Sequence, residues 1–203
     1  MGLLLVTAML GTGASLNESL RVPAGEVHDS DLTTVNGSIT VGDNSEVKGE
    51  CTTVNGSIKV GRDAKVEELS TVNGGVTVGE GTVVSRDVQT VNGSINLNSG
   101  SRAASVSNIN GQIKLQGAEV DGDVSTINGD VDLLDGSRIG GDIIIEEHSG
   151  KNDRDKPLKI TLSGDSVIEG NIIVKEEDID VEVHISDGSR VMGRVEGATV
   201  IDR

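Results

Sequence analysis

No phenylalanine, tyrosine or tryptophan occurs in this chain of 203 residues. Aromatic side chains fill wide cores and make the platforms on which bases stack. Their absence excludes both a broad core and stacking recognition of nucleic acid. A single cysteine, Cys51, excludes an internal disulfide. The two prolines, Pro23 and Pro157, stand outside the regular part of the chain, where a missing ladder donor does least damage. Basic residues are scarce as well: 17 Lys and Arg face 33 Asp and Glu, for a formal charge of −16. Nucleic-acid affinity rests on cations that neutralise phosphates, so no nucleic-acid partner is expected. The acidic surplus reads as a self-repelling surface that keeps stacked strands soluble.

What is present is repetition. One phrase recurs as Thr34–Ile39, Thr53–Ile58, Thr71–Val76, Thr90–Ile95, Asn108–Ile113 and Thr126–Val131, its first copy spelling Thr-Val-Asn-Gly-Ser-Ile. Its asparagines, Asn36, Asn55, Asn73, Asn92, Asn110 and Asn128, fall 18 or 19 residues apart. A fixed period of this size marks a solenoid, in which each repeat is one coil that buries its apolar face only against its neighbours.

Aligning the copies brings out aliphatic columns. One is a core ladder of Ile39, Ile58, Val76, Ile95, Ile113 and Val131; two residues on stand Val41, Val60, Val78, Leu97, Leu115 and Leu133. A third holds Val47, Val66, Val84, Ala103, Val120 and Ile139, and a fourth Cys51, Leu69, Val88, Val106 and Val124. Spacing of two is the strand period, and the Gly, Asp, Asn and Ser between clusters mark corners. Three short strands per coil predict an all-β fold: a single-stranded parallel β-helix with triangular coils of 18–19 residues. Nine or ten coils stacked about 4.8 Å apart would make a rod of roughly 45 Å.

The Asn-Gly pair is suited to a corner, because Asn tolerates and Gly freely occupies the left-handed region. The stacked asparagines are also expected to bond to one another along the axis, as a structural Asn ladder. The valine of the phrase is taken as a core residue. If strand alternation runs straight through it, Thr34, Thr53, Thr71, Thr90 and Thr126 point outward with the asparagines as an array able to bind a surface.

The chain divides into four parts on this reading. Residues 1–14 read as a secretory signal segment, an apolar run followed by small residues, though without a basic start. The run is too short to span a bilayer, so no transmembrane span is expected in the mature form. Residues 15–33 read as an N-terminal cap and 34–144 as regular coils. Residues 145–203 read as irregular C-terminal coils, with a polar loop at 146–157. Export to the periplasm or cell surface of a bacterium follows if the first segment is a signal, and a cytoplasmic location if it is not.

Three later stretches, 136–143, 164–172 and 188–195, carry Gly-Ser-Arg-Val and Gly-Asp-Ile or Gly-Arg-Val edges. With them the chain resembles bactofilins, the polymer-forming β-helical cytoskeletal proteins of bacteria. The Val-Asn-Gly coils are similar to uncharacterised exported bacterial proteins built of the same repeats. The bactofilin resemblance implies a right-handed triangular helix that polymerises end to end without nucleotide, near membrane or cell wall.

The residues offer little to an enzyme. Polysaccharide lyases on β-helices bind sugar with aromatic platforms, and hexapeptide acyltransferases need a catalytic histidine. The histidines here are His28, His148 and His184. The coil spacing puts the first two roughly 30 Å apart and the last two about 10 Å apart, too far for a shared zinc. Cys51 has no histidine in its coil to activate it. The Gly-Gly-x-Gly-x-Asp calcium repeat is absent. Asp121, Asp123, Asp130, Asp132 and Asp135 read as a solvated stripe. No catalytic residue, metal ligand or cofactor is expected. The sequence therefore points to a non-catalytic exported scaffold or interaction rod of the cell envelope, whose partners would be further copies, an envelope protein or a polymer. A bactofilin-like polymer, an ice- or wall-binding threonine array and a hexapeptide-like acyltransferase are the alternatives.

Overall fold

The structure, a computed structural model, describes residues 15–147, 156–176 and 178–202. The segment read as a secretory signal, most of the polar loop and His148 lie outside the described residues. Every regular element among the described residues is a β-strand, and every strand pairing is parallel. The chain is a β-solenoid.

One wall is a sheet of ten strands, from Leu20–Val22 at one end to Thr199–Asp202 at the other. At about 4.8 Å per step its nine intervals span roughly 43 Å. The other two walls are joined in the early coils, where strands such as Glu46–Asn55 and Val83–Asn92 bend through a corner. The register slips at that bend, between Val47 and Glu50 and again between Ala103 and Ser105. Such a bulge turns a strand without breaking it. Farther along, the corner separates the walls into pairs such as Glu119–Val120 and Val124–Thr126. Each coil thus has three sides.

The core is a narrow aliphatic column. Ile39, Ile58, Val76, Ile95, Ile113 and Val131 are all fully buried, and the same line continues through Ile160 and Val183. Their registers place like above like. Each such side chain contributes about 1.5–3 kcal/mol by leaving water, before chain entropy is set against it. Aliphatic chains fill this space completely, so the lack of aromatics leaves no deficit.

Residues 15–33 form a coil in register with the next. Leu20 pairs with Ile39, Val27 with Glu46 and Leu32 with Cys51. Ser15-Leu-Asn-Glu-Ser-Leu20 is a worn copy of the phrase. At the other end the core line reaches solvent at Val200, which is 47% exposed above the buried Val183.

Candidate functional site

The Asn-Gly corner is where the repeat concentrates its polar groups. Each asparagine donates from Nδ2 to Oδ1 of the asparagine one coil earlier. The chain of bonds runs Asn128 to Asn110, Asn92, Asn73, Asn55 and Asn36, at 2.8–3.2 Å. It ends on a seventh rung that the phrase search missed, Asn17, 2.9 Å from Asn36. The identity of residue 17 within the worn copy was the available signal.

The glycine beside each rung is there for a different reason than a left-handed turn. No ladder asparagine has a positive φ, and of the adjoining glycines only Gly111 does. A Cβ built on Gly56 would sit 2.0 Å from the Gly37 carbonyl oxygen, and one on Gly74 2.0 Å from that of Gly56. Backbone meets backbone here, and only glycine leaves room. Glu18 holds this place in the first described coil, where no described coil precedes it. The left-handed corner lies elsewhere, after the first wall, at Asn44, Asp63, Gly81, Gly100 and their successors.

The threonines do not form an outward array. Thr34, Thr53, Thr71 and Thr90 are 0% exposed and Thr126 1%, and the neighbouring Val35, Val54, Val72 and Val91 lie half-buried on the outer side. The phase is fixed by the fourth apolar column: Cys51 and Thr53 are two apart and share a face, which sends Val54 to the other. Four of these five buried hydroxyls are taken up by the coil before them. Thr34, Thr53, Thr71 and Thr90 donate to the carbonyls of Glu18, Gly37, Gly56 and Gly74 at 2.8–3.0 Å.

One rung of this inner ladder is irregular. Asn108 stands where the others have threonine, and its Nδ2 donates to Gly111 O, the acceptor that the Thr126 hydroxyl would use. Asn108 Oδ1 and Thr126 Oγ1 are left buried without a partner.

In the later coils the stapling moves to another corner. Asp123 Oδ1 accepts from the Asp142 amide, Asp142 Oδ1 from the Asn171 amide, and Asn171 Oδ1 from the Arg194 amide, at 2.6–2.9 Å. The Gly-Asp-Ile and Gly-Arg-Val edges are the sequence trace of this second ladder.

Charge is arranged by wall. On the second wall Arg102 meets Asp121 at 2.6 Å, and Arg138 bridges Glu119 and Glu169. Arg86 gathers Glu50, Glu67 and Glu68. Partial burial, with Glu50 alongside, raises the Glu68 carboxyl against the pull of Arg86. The Arg62 amide, bonded to Asp43 Oδ1 at 2.9 Å, lowers the Asp43 carboxyl.

These groups do not converge on a reaction centre. Cys51 is fully buried in the aliphatic column, and burial pushes its thiol up to about 12. His28 contacts Ser30 Oγ at 3.1 Å in the first coil, and His184 contacts Glu182 at 2.9 Å near the far end. Among the described residues no three His, Cys, Asp or Glu side chains stand close enough to hold a metal ion. Nor is any helix there long and apolar enough to cross a membrane. No protein-family model, curated protein or solved structure matches the chain.

Proposed function

We propose that this protein is a non-catalytic structural module, a rigid rod of the bacterial cell envelope that serves as a scaffold or partner-binding surface after export. The observation that carries the reading is the use of its polar side chains. Four inner hydroxyls, the asparagine side chains and the second-corner carboxylates make coil-to-coil bonds, which stiffen the stack. Reactive groups are buried, as Cys51 is, or dispersed, as His28 and His184 are. The export half of the reading rests on the apolar segment 1–14.

Fractionation of cells expressing the full chain, with protease added to spheroplasts, tests the location. Cleavage from outside and removal of residues 1–14 are expected; protein found only in cytosol would sink the envelope role.

The bactofilin-like reading has one observation of its own, the last described coil, where Val200 is exposed and Thr199–Asp202 pairs on one edge only among the described residues. Open edges invite further pairing. Electron microscopy of purified protein separates the two: filaments support polymerisation, and monodisperse rods about 43 Å long oppose it.

A further inference from the structure

On the first wall, the outward side chains of successive coils form the column Arg21, Thr40, Lys59, Thr77, Asn96, Lys114. In a chain of formal charge −16 these six places hold three cations and no carboxylate. The column ends where Asp132 follows Lys114. None of the three cations has an ion-pair partner among the described residues, a condition shared with Lys65, Lys159, Arg190 and Arg194, whereas Lys48, Arg62, Arg86, Arg102, Arg138 and Lys175 are paired.

The corner that precedes this wall carries one charge in the same coils, the exposed Glu18 in the coil of Arg21, and none in the five coils that follow. It carries the exposed Asn ladder and, beside it, Ser38, Ser57, Gly75, Ser94 and Gln112. Each ladder amide uses one N–H and one side of its oxygen on its neighbours, which leaves a donor and an acceptor toward solvent at every coil. On the other flank, glycine backbone at Gly42, Gly61 and Gly79 floors a shallow groove edged by Arg21, Lys59 and Arg62. Asp43, in the same groove, is engaged by Arg62 at 3.5 Å.

We infer that this face binds a linear acidic polysaccharide laid along the solenoid axis, with Arg21, Lys59 and Lys114 meeting its carboxylates and the Asn, Ser and Thr groups between them meeting its hydroxyls. The complementarity lies in charge density. Arg21 and Lys59 are two coils apart and Lys59 and Lys114 three, or about 10 and 14 Å. That spacing suits a polymer with neutral, hydroxyl-rich stretches between its charges, and it is far too sparse for a nucleic-acid backbone. With no aromatic platform, binding is electrostatic and polar, so it is salt-sensitive. The inference rests on the scaffold reading and names a partner for it.

The test uses the full chain and immobilised hyaluronan, which carries one carboxylate per disaccharide, with neutral dextran and inorganic polyphosphate as competitors. Retention at about 50 mM NaCl is expected, weakening several-fold by 200 mM as salt screens the three contacts. The triple variant Arg21→Gln, Lys59→Gln, Lys114→Gln should bind at least about tenfold more weakly, with the three charge contacts gone. The charge-matched Lys48→Gln, Lys65→Gln, Lys175→Gln should stay near wild type. Melting curves of both triples should show that each folds. No retention of wild type, equal loss in the two triples, or displacement by polyphosphate with none by free hyaluronan would overturn the inference. Release of new reducing ends would instead overturn the non-catalytic reading and leave the contact face standing.

Discussion

Replacing Asn108 by threonine should stabilise the rod, because it regularises the one faulty rung of the inner ladder. In the present structure Asn108 Nδ2 occupies Gly111 O, and two buried oxygens, Asn108 Oδ1 and Thr126 Oγ1, are left without partners. A buried polar atom without a partner costs about 1–3 kcal/mol, and a satisfied neutral hydrogen bond returns about 1. The substitution removes one orphan outright and frees Gly111 O for the Thr126 hydroxyl. The new hydroxyl at 108 reaches Gly93 O, as Thr90 reaches Gly74 O at 2.9 Å. The Asn108 bond to Gly111 O is lost in exchange. The net gain is about 1–3 kcal/mol. For a chain of this size each kcal/mol moves the melting temperature by about 2–4 °C, so a rise of roughly 2–12 °C is expected in calorimetry or circular dichroism. Two companions sharpen the test. Thr126→Val deletes an orphaned hydroxyl and should be neutral or stabilising, whereas Thr71→Val deletes a satisfied one and should cost about 1 kcal/mol. A lower melting temperature for Asn108→Thr, or equal losses for Thr126→Val and Thr71→Val, would refute the reasoning.

Three other outcomes are expected. Gly74→Ala places a methyl 2.0 Å from the Gly56 carbonyl oxygen, and neither backbone can yield; a loss of about 3 kcal/mol or more in urea unfolding is expected, and a loss under 1 would show that the coils can separate. Ile95→Asp puts an unpaired charge in a column that is fully buried and should leave no cooperative melt, while Val72→Thr on the half-buried outer side should stay within about 0.5 kcal/mol of wild type; similar effects would refute the inward and outward assignment. Cys51 should resist thiol reagents until the protein unfolds, and because burial raises its folded pKa from 9.0 to about 12, its share of stability is full below pH 9 and is lost as pH climbs from 9 toward 12. Cys51→Ala should flatten that alkaline decline, which no tyrosine complicates; an unchanged decline would show that the thiol is not its source.

The solenoid was legible because its signal is redundant. Column after column of valine and isoleucine recurs at one period, and no other fold asks for that. The orientation of the Thr-Val pair was misread for a physical reason: valine is the more apolar residue, yet phase along a strand is set by neighbours two places away. Cys51, Leu69 and Val88 stand two before Thr53, Thr71 and Thr90, and that spacing outranks hydropathy. A hydroxyl can be buried here because a carbonyl one coil back receives it, a partner with no trace in local sequence. The glycine requirement was equally hidden, since it arises between residues 18 or 19 apart rather than within a turn. The cationic column of the first wall was also invisible to linear reading: Arg21, Lys59 and Lys114 are scattered in sequence and align only once the register is known.

The register of the later coils bears on how the chain folds and diversifies. Neighbours across the stack are usually 18 or 19 residues apart, but Val131 pairs with Ile160 and Ile160 with Val183, intervals of 29 and 23. Closing a flexible loop grows in cost only with the logarithm of its length, so stretching one interval from 18 to 29 adds about 0.4 kcal/mol. Every coil therefore meets nearly the same entropic barrier, and once a first pair has formed the rest can be added one at a time in either direction. The same arithmetic makes the stack permissive: an insertion at a corner, such as the polar stretch before Leu158, leaves the columns on both sides in line.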